Sequence, residues 1–217
     1  MNSQTRREIR FGLTALTLSG LLLALSTILR GPVDLADPGS FIRAAASVTY
    51  VPAWTLILVG GVLNLYGSFG LYRYLTYQTK SRIAFLAFVL RVAGIALFLP
   101  FATFFAVNGP VIAELYQQGN QAVIAVVEAN FAGLGLALFG LSGVGEIIGW
   151  LLFAVALWRD GRLPKWAVVL FATALPLLAF PITLATEFLG GVLLLISTGM
   201  MAWKGWQESG AGELTNT

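Results

Sequence analysis

The chain contains no cysteine and no histidine among its 217 residues. Those two absences exclude disulfides, thiol catalysis, Cys or His zinc sites, bis-histidine haem and any Ser-His-Asp triad. Charge is scarce as well: Asp, Glu, Lys and Arg make up 11% of the residues, against about 25% in a soluble domain. Apolar residues fill the space, at 58% of the chain and a mean hydropathy of +0.83. A water-soluble globule is thereby excluded. The 24 glycines and 8 prolines sit inside apolar runs rather than polar low-complexity tracts, which excludes a disordered or collagenous chain. The sequence reads as an all-α, polytopic integral membrane protein.

A hydrocarbon core about 30 Å thick takes roughly 20 apolar helical residues. Six stretches meet that length, near 11–29, 50–72, 83–107, 134–158, 166–186 and 187–206, the last two joined by a tight turn expected at Thr186-Glu187. This divides the chain into a cytoplasmic N-terminal segment (1–10), a transmembrane domain (11–206) and a flexible cytoplasmic tail (207–217). Orientation follows from the cations, because basic residues in short loops are retained on the cytoplasmic side. Arg6, Arg7, Arg10, Arg73, Lys80, Arg82, Arg159, Arg162, Lys165 and Lys204 fall on one side of that arrangement, and only Arg30 and Arg43 on the other. Asp34, Asp37, Glu114, Glu128 and Glu187 join the latter. Both termini are therefore predicted to be cytoplasmic. Tyr50 and Trp54 mark the outer interface, and Tyr72, Tyr74, Trp158, Trp166, Trp203 and Trp206 the inner one. The opening MNSQTRREIR resembles a signal-peptide n-region, but the apolar run after it exceeds an h-region and Arg30-Gly31-Pro32 closes it without a cleavage site. An uncleaved anchor in a bacterial plasma membrane is expected.

Outside the bilayer, the longest segment runs from Asn108 to about Gly133. Apolar residues at 111, 112, 115, 122, 123, 126 and 127 share one helical face, and Glu114, Gln117, Gln118, Gln121 and Glu128 the other. The pattern predicts an amphipathic helix on the outer surface, with a break at Gly119-Asn120, acting as a lid over the helix ends or as a gate. A short helix over Pro38 to Ala46 is expected in the other outer connection.

The order of features resembles a known family. GLYRYLTYQTKSR ends the second span, FVLRVAG lies in the third, FAGLGLALFGLSGVGEIIGW forms the fourth, WRDGRLPKW follows, and FLGGVLLLISTGMMAWKG closes the chain. This resembles the bacterial six-span membrane proteins grouped as domain of unknown function four-three-eight-six, over roughly residues 11–206. The resemblance implies a fold and no established chemistry. It also implies a His before the fourth span, where this chain has Glu128-Ala129-Asn130.

Arg91 is the most informative residue. A central Arg costs about 2.5–3.5 kcal/mol on insertion scales, so it should face the bundle interior with a partner. A rise of about 1.5 Å per residue puts Arg91 roughly 12 Å deep, Glu146 roughly 18 Å and Asn64 roughly 12 Å, which predicts an Arg91–Glu146 ion pair with Asn64 beside it. Such a pair either fixes helix register or forms part of a binding or proton site. Glu114, Glu128, Asn130 and Glu187 are the outer-surface candidates. Gly145 and Gly149 have small-xxx-small spacing, which suits close packing within the bundle or with a second copy. Pro100, Pro176 and Pro181 would kink their helices, a feature of transporter sites and of ordinary membrane helices alike.

Other chemistries fall away. Lys80, Lys165 and Lys204 lie at helix ends, away from a Schiff-base position, and Asp34, Asp37 and Asp160 lie in loops, away from intramembrane proteolysis. The basic balance matches anionic lipid rather than nucleic acid. No catalytic residue, metal or cofactor is expected, and the lipid bilayer is the implied partner. Two functional readings fit: a non-enzymatic scaffold or accessory component, and a small transporter or carrier of lipid or an anionic small molecule using Asn64, Arg91 and Glu146.

Overall fold

A computed structural model describes residues 2–31, 38–78, 80–130, 132–179 and 184–210, with Pro38, Ala179 and 208–210 as backbone alone. Among them the fold is all-helical: α1 (Ser3–Arg30), α2 (Pro38–Ala45), α3 (Tyr50–Thr76), α4 (Arg82–Gln117), α5 (Ala122–Asn130), α6 (Gly133–Asp160), α7 (Lys165–Ala179) and α8 (Leu184–Gly210). The sequence sets several of these ends. Asn2 accepts from the Thr5 amide at 2.7 Å and Ser81 from the Ala84 amide at 3.2 Å, capping α1 and α4. Gly161 (φ 72°) ends α6 in the left-handed region, and Gly119 (φ 89°) interrupts the chain after α4.

Five of these helices, α1, α3, α4, α6 and α8, are long and apolar enough to cross a membrane. The fifth expected span is described only as far as Ala179. α7 has 15 residues, about 22 Å of helix against a core of about 30 Å, and Pro181 lies outside the described residues. The turn expected at Thr186-Glu187 is not there. Both residues lie inside α8, whose first turn carries Glu187, a favourable place for an acid beside the positive end of the helix dipole.

Three further boundaries move. Capping by Asn2 starts α1 at Ser3, so most of segment 1–10 is helical. α8 runs to Gly210 and takes in the start of the expected tail. The outer segment from Asn108 is not one amphipathic helix: its first ten residues continue α4 through Pro110, and α5 follows after the Gly119 break. Packing outweighs the proline here. Tyr50 donates to the Phe105 carbonyl at 3.0 Å, and Phe41, Trp54, Phe105, Ile112, Val123 and Val127 form one buried cluster where α2, α3, α4 and α5 meet. The short helix predicted from Pro38 is α2. Asp34 and Asp37 lie outside the described residues.

The long helices pack in chain order into a ring: α1 on α3, α3 on α4, α4 on α6, α6 on α7, α7 on α8 and α8 back on α1. Small residues set the seams, as expected where lipid removes the hydrophobic drive for helix association. A methyl group on Gly70 would lie 2.8 Å from the Gly12 carbonyl carbon, and one on Gly191 would lie 2.8 Å from Ala24 Cβ. Leu13, Leu16, Leu71, Trp150, Phe153, Leu157, Phe171, Leu194 and Met201 fill the half of the ring that holds the basic residues. Outward faces carry Leu134, Leu141, Val144 and Ile148 of α6 and Phe85, Leu86 and Val89 of α4, apolar side chains that a bilayer would cover.

Gly70→Ala forces two backbones apart, whereas a methyl group on Gly199 meets only Thr17 at 3.8 Å. Gly70→Ala should lower the Tm in detergent by several degrees and Gly199→Ala should leave it within about 1 °C, a contrast of roughly 1–3 kcal/mol for overpacking.

Candidate functional site

The centre of the ring is polar at one level. Arg91 of α4 is 0% exposed. Its Nη1 donates to Glu146 Oε2 of α6 at 2.8 Å, and its Nη2 donates to Asn64 Oδ1 of α3. The three residues matched by depth are thus in contact. The face of the guanidinium lies on the Trp150 ring, with Cζ 4.7 Å from the centroid. Trp150 stacks on Phe171 of α7 at 3.9 Å and 17°, and its indole N–H donates to the Phe171 carbonyl. One cation therefore ties α3, α4 and α6 directly and α7 through an aromatic stack. A cation over an indole away from water is worth about 2 kcal/mol or more, and a hydrogen bond to a charged group about 1.5–3 kcal/mol.

Close approach of α4 and α6 makes this geometry. A methyl group on Gly94 would lie 2.6 Å from Glu146 Cγ, and one on Gly149 would lie 2.8 Å from Arg91 Cγ. Ser142 Oγ donates across the same seam to the Gly94 carbonyl at 2.8 Å. Gly149, from the small-xxx-small pair, is thus used inside the chain; Gly145 makes only ordinary contact with the Leu90 carbonyl at 3.4 Å, and Gly140 and Gly143 meet nothing within 4 Å. Pro100 and Pro110 lie within α4, and Pro176 within α7.

Glu146 is enclosed less completely, its side chain 17% exposed. The outer candidates do not form a site with one another. Glu187 pairs with Arg30 at 2.6 Å, joining α8 to α1. Glu114 accepts from Gln118 at 3.3 Å, Asn130 donates to the Val126 carbonyl at 2.8 Å, and Glu128 is exposed. Glu114 lines a cleft of about 290 Å³ with Val48, Val51, Pro110, Ala113 and Gln117. From Arg91 to Pro110 is 19 residues of α4, about 28 Å of helix, so the cleft and the buried cation are separate features. Among the described residues no three acids gather as a metal-binding group.

The far end of the ring holds most of the other cations. Arg73 of α3 reaches Glu8 of α1 at 2.9 Å, and Arg162 donates to Asp160 and to the Tyr74 carbonyl, each at 2.7 Å. Burial pulls the Arg162 pKa down, but the Asp160 hydrogen bond and the tyrosines more than offset it, and the net direction is upward.

Sequence reasoning passed over Trp150 and Ser142. Both lie four residues from Glu146, on the same face of α6, and that spacing was the available signal. Searches against known protein families, curated proteins and solved structures return no match for this chain.

Trp150→Phe keeps a ring between Arg91 and Phe171 but loses the indole donor, a cost of about 1 kcal/mol. Trp150→Leu also removes the stack and leaves a cavity, about 3 kcal/mol or more. The Tm should fall in that order, wild type above Trp150→Phe above Trp150→Leu.

Proposed function

We propose that this chain is a non-enzymatic component of a bacterial plasma membrane, a scaffold or accessory protein whose buried polar cluster fixes helix register. One observation carries the reading: Arg91 is wholly enclosed and its charge is already balanced by Glu146. A carrier of anions would hold its cation open to a cavity, with its charge not yet balanced. Here two guanidinium nitrogens are committed to neighbouring helices and Arg91 Cζ lies over the Trp150 ring. Removing one partner of such a pair is far more costly than replacing both with apolar groups, which is the behaviour of a structural fastener.

We place both termini in the cytoplasm, with α7 as a sixth, short membrane segment and α2 and α5 on the outer side. The gathering of cations at one end of the ring supports this orientation, and the six-span family resemblance is part of the same proposal. The carrier reading draws on the residual exposure of Glu146, which offers one carboxylate edge to the bundle surface.

Two experiments test these assignments. Melting wild type and Arg91→Gln in detergent across anionic metabolites and lipids should show a large loss for the variant and no metabolite that stabilises wild type selectively. A ligand that raises the wild-type Tm but not that of Arg91→Gln would establish a carrier instead. The chain has no native cysteine, so single cysteines need no background removal. Gln4→Cys and Gln207→Cys should react with an impermeant maleimide only after cells are opened, and Ser47→Cys and Gln117→Cys in intact cells. The reverse pattern would invert the topology.

A further inference from the structure

Among the described residues, two that are 0% exposed carry a buried polar atom with no hydrogen-bond partner: Ser19, through Oγ on α1, and Arg91, through Nε on α4. Ser19 is an exception among its kind. The buried hydroxyls of Ser26, Thr27, Ser68, Ser142, Ser197 and Thr198 each donate to a backbone carbonyl. An unsatisfied buried group is costly, and native structures rarely leave one unexplained.

Helix register brings the two orphans to one place. Along the α1–α3 seam, Gly12 lies against Gly70, Leu16 against Gly67 and Leu23 against Gly60. Stepping three residues on from Leu16 and three back from Gly67 puts Ser19 level with Asn64, on the stripe of α1 that faces α3. Asn64 in turn accepts from Arg91 Nη2. In a guanidinium, Nε–H and one N–H of Nη2 point the same way as a two-donor edge. The free Nε–H therefore opens on the side where Asn64 stands, with Ser19 at the same level on the next helix.

We propose that Ser19, Asn64 and Arg91 enclose a binding site for one small neutral hydrogen-bonding molecule, a water. It would accept from Arg91 Nε–H, donate to the second lone pair of Asn64 Oδ1 and hydrogen-bond with the Ser19 hydroxyl. Two to four polar partners is the number that holds a buried water. A charged ligand does not fit, because Glu146 already neutralises Arg91. The bridge joins α1 to the cation across α3 and extends the polar layer over four helices. It does not depend on whether the Arg91 cluster is a fastener or a binding site.

Ser19→Ala tests it by sign. Without a bridge, the substitution removes an unsatisfied hydroxyl and supplies a better helix former, so the Tm rises. With the bridge it removes one partner of the held water, and the Tm falls by about 2–4 °C. That fall should vanish when Ser19→Ala is made in an Asn64→Ala background. A density map that resolves waters should also show a peak about 2.7–3.2 Å from both Ser19 Oγ and Arg91 Nε. A Tm that is unchanged or raised, or a map with Ser19 Oγ bonded to the Ala15 carbonyl and no peak, overturns the proposal.

Discussion

An arginine held inside a membrane bundle has to be surrounded by partners, and that requirement organises this protein. Arg91 could not be carried by an isolated α4 without a cost of several kcal/mol. Its partners come from chain segments far apart in sequence, Asn64 from α3, Glu146 and Trp150 from α6. The two contacts from α6 are made with α4 and α6 nearly backbone to backbone, which Gly94 and Gly149 allow. Trp150 then passes the constraint to α7 through its stack on Phe171. Gly149, which looks like half of an association motif in isolation, is with Gly94 the means by which one charge is buried.

The rest of the ring is closed at its two ends by different chemistry. At the end rich in cations, Arg73 and Arg162 reach carboxylates and carbonyls, while Lys165 and Arg10 lie on Trp158 and Trp206. At the other end, an aromatic cluster around Phe105 seals α2 and α5 against α3 and α4, and the Arg30–Glu187 pair joins α1 to α8. The ion pairs among these contacts are partly exposed and individually modest. They tie the rim together, whereas the buried cation joins α3, α4 and α6 inside the ring.

Much of this was legible in the sequence because membranes enforce simple rules. Hydropathy alone gave the long helices, and rise per residue put Arg91, Asn64 and Glu146 within reach of one another. The failures have local causes. α4 runs through Pro110 because the packing of Phe105 and Ile112 outweighs one lost backbone hydrogen bond, which a pattern centred on apolar faces reads as a separate helix. The Thr186-Glu187 boundary was misplaced because a polar pair resembles a turn, although an acid in a first helical turn is equally well explained by the helix dipole. Trp150 was read past because an aromatic in a membrane span looks like lipid-facing bulk. Its place one turn beyond Glu146 is what makes it a cover for the cation.

The most direct test of the central claim is a charge exchange across the α4–α6 seam. Arg91→Glu and Glu146→Arg each replace an ion pair of 2.8 Å with like charges across the same seam and should cost about 3–5 kcal/mol, seen as a large fall in detergent Tm. Asn64 can turn its amide to donate to a carboxylate at position 91, so the double exchange should melt well above both single variants, recovering more than half of the loss. A double variant that melts at or below the weaker single would show that the Arg91–Glu146 pair does not hold these helices in register.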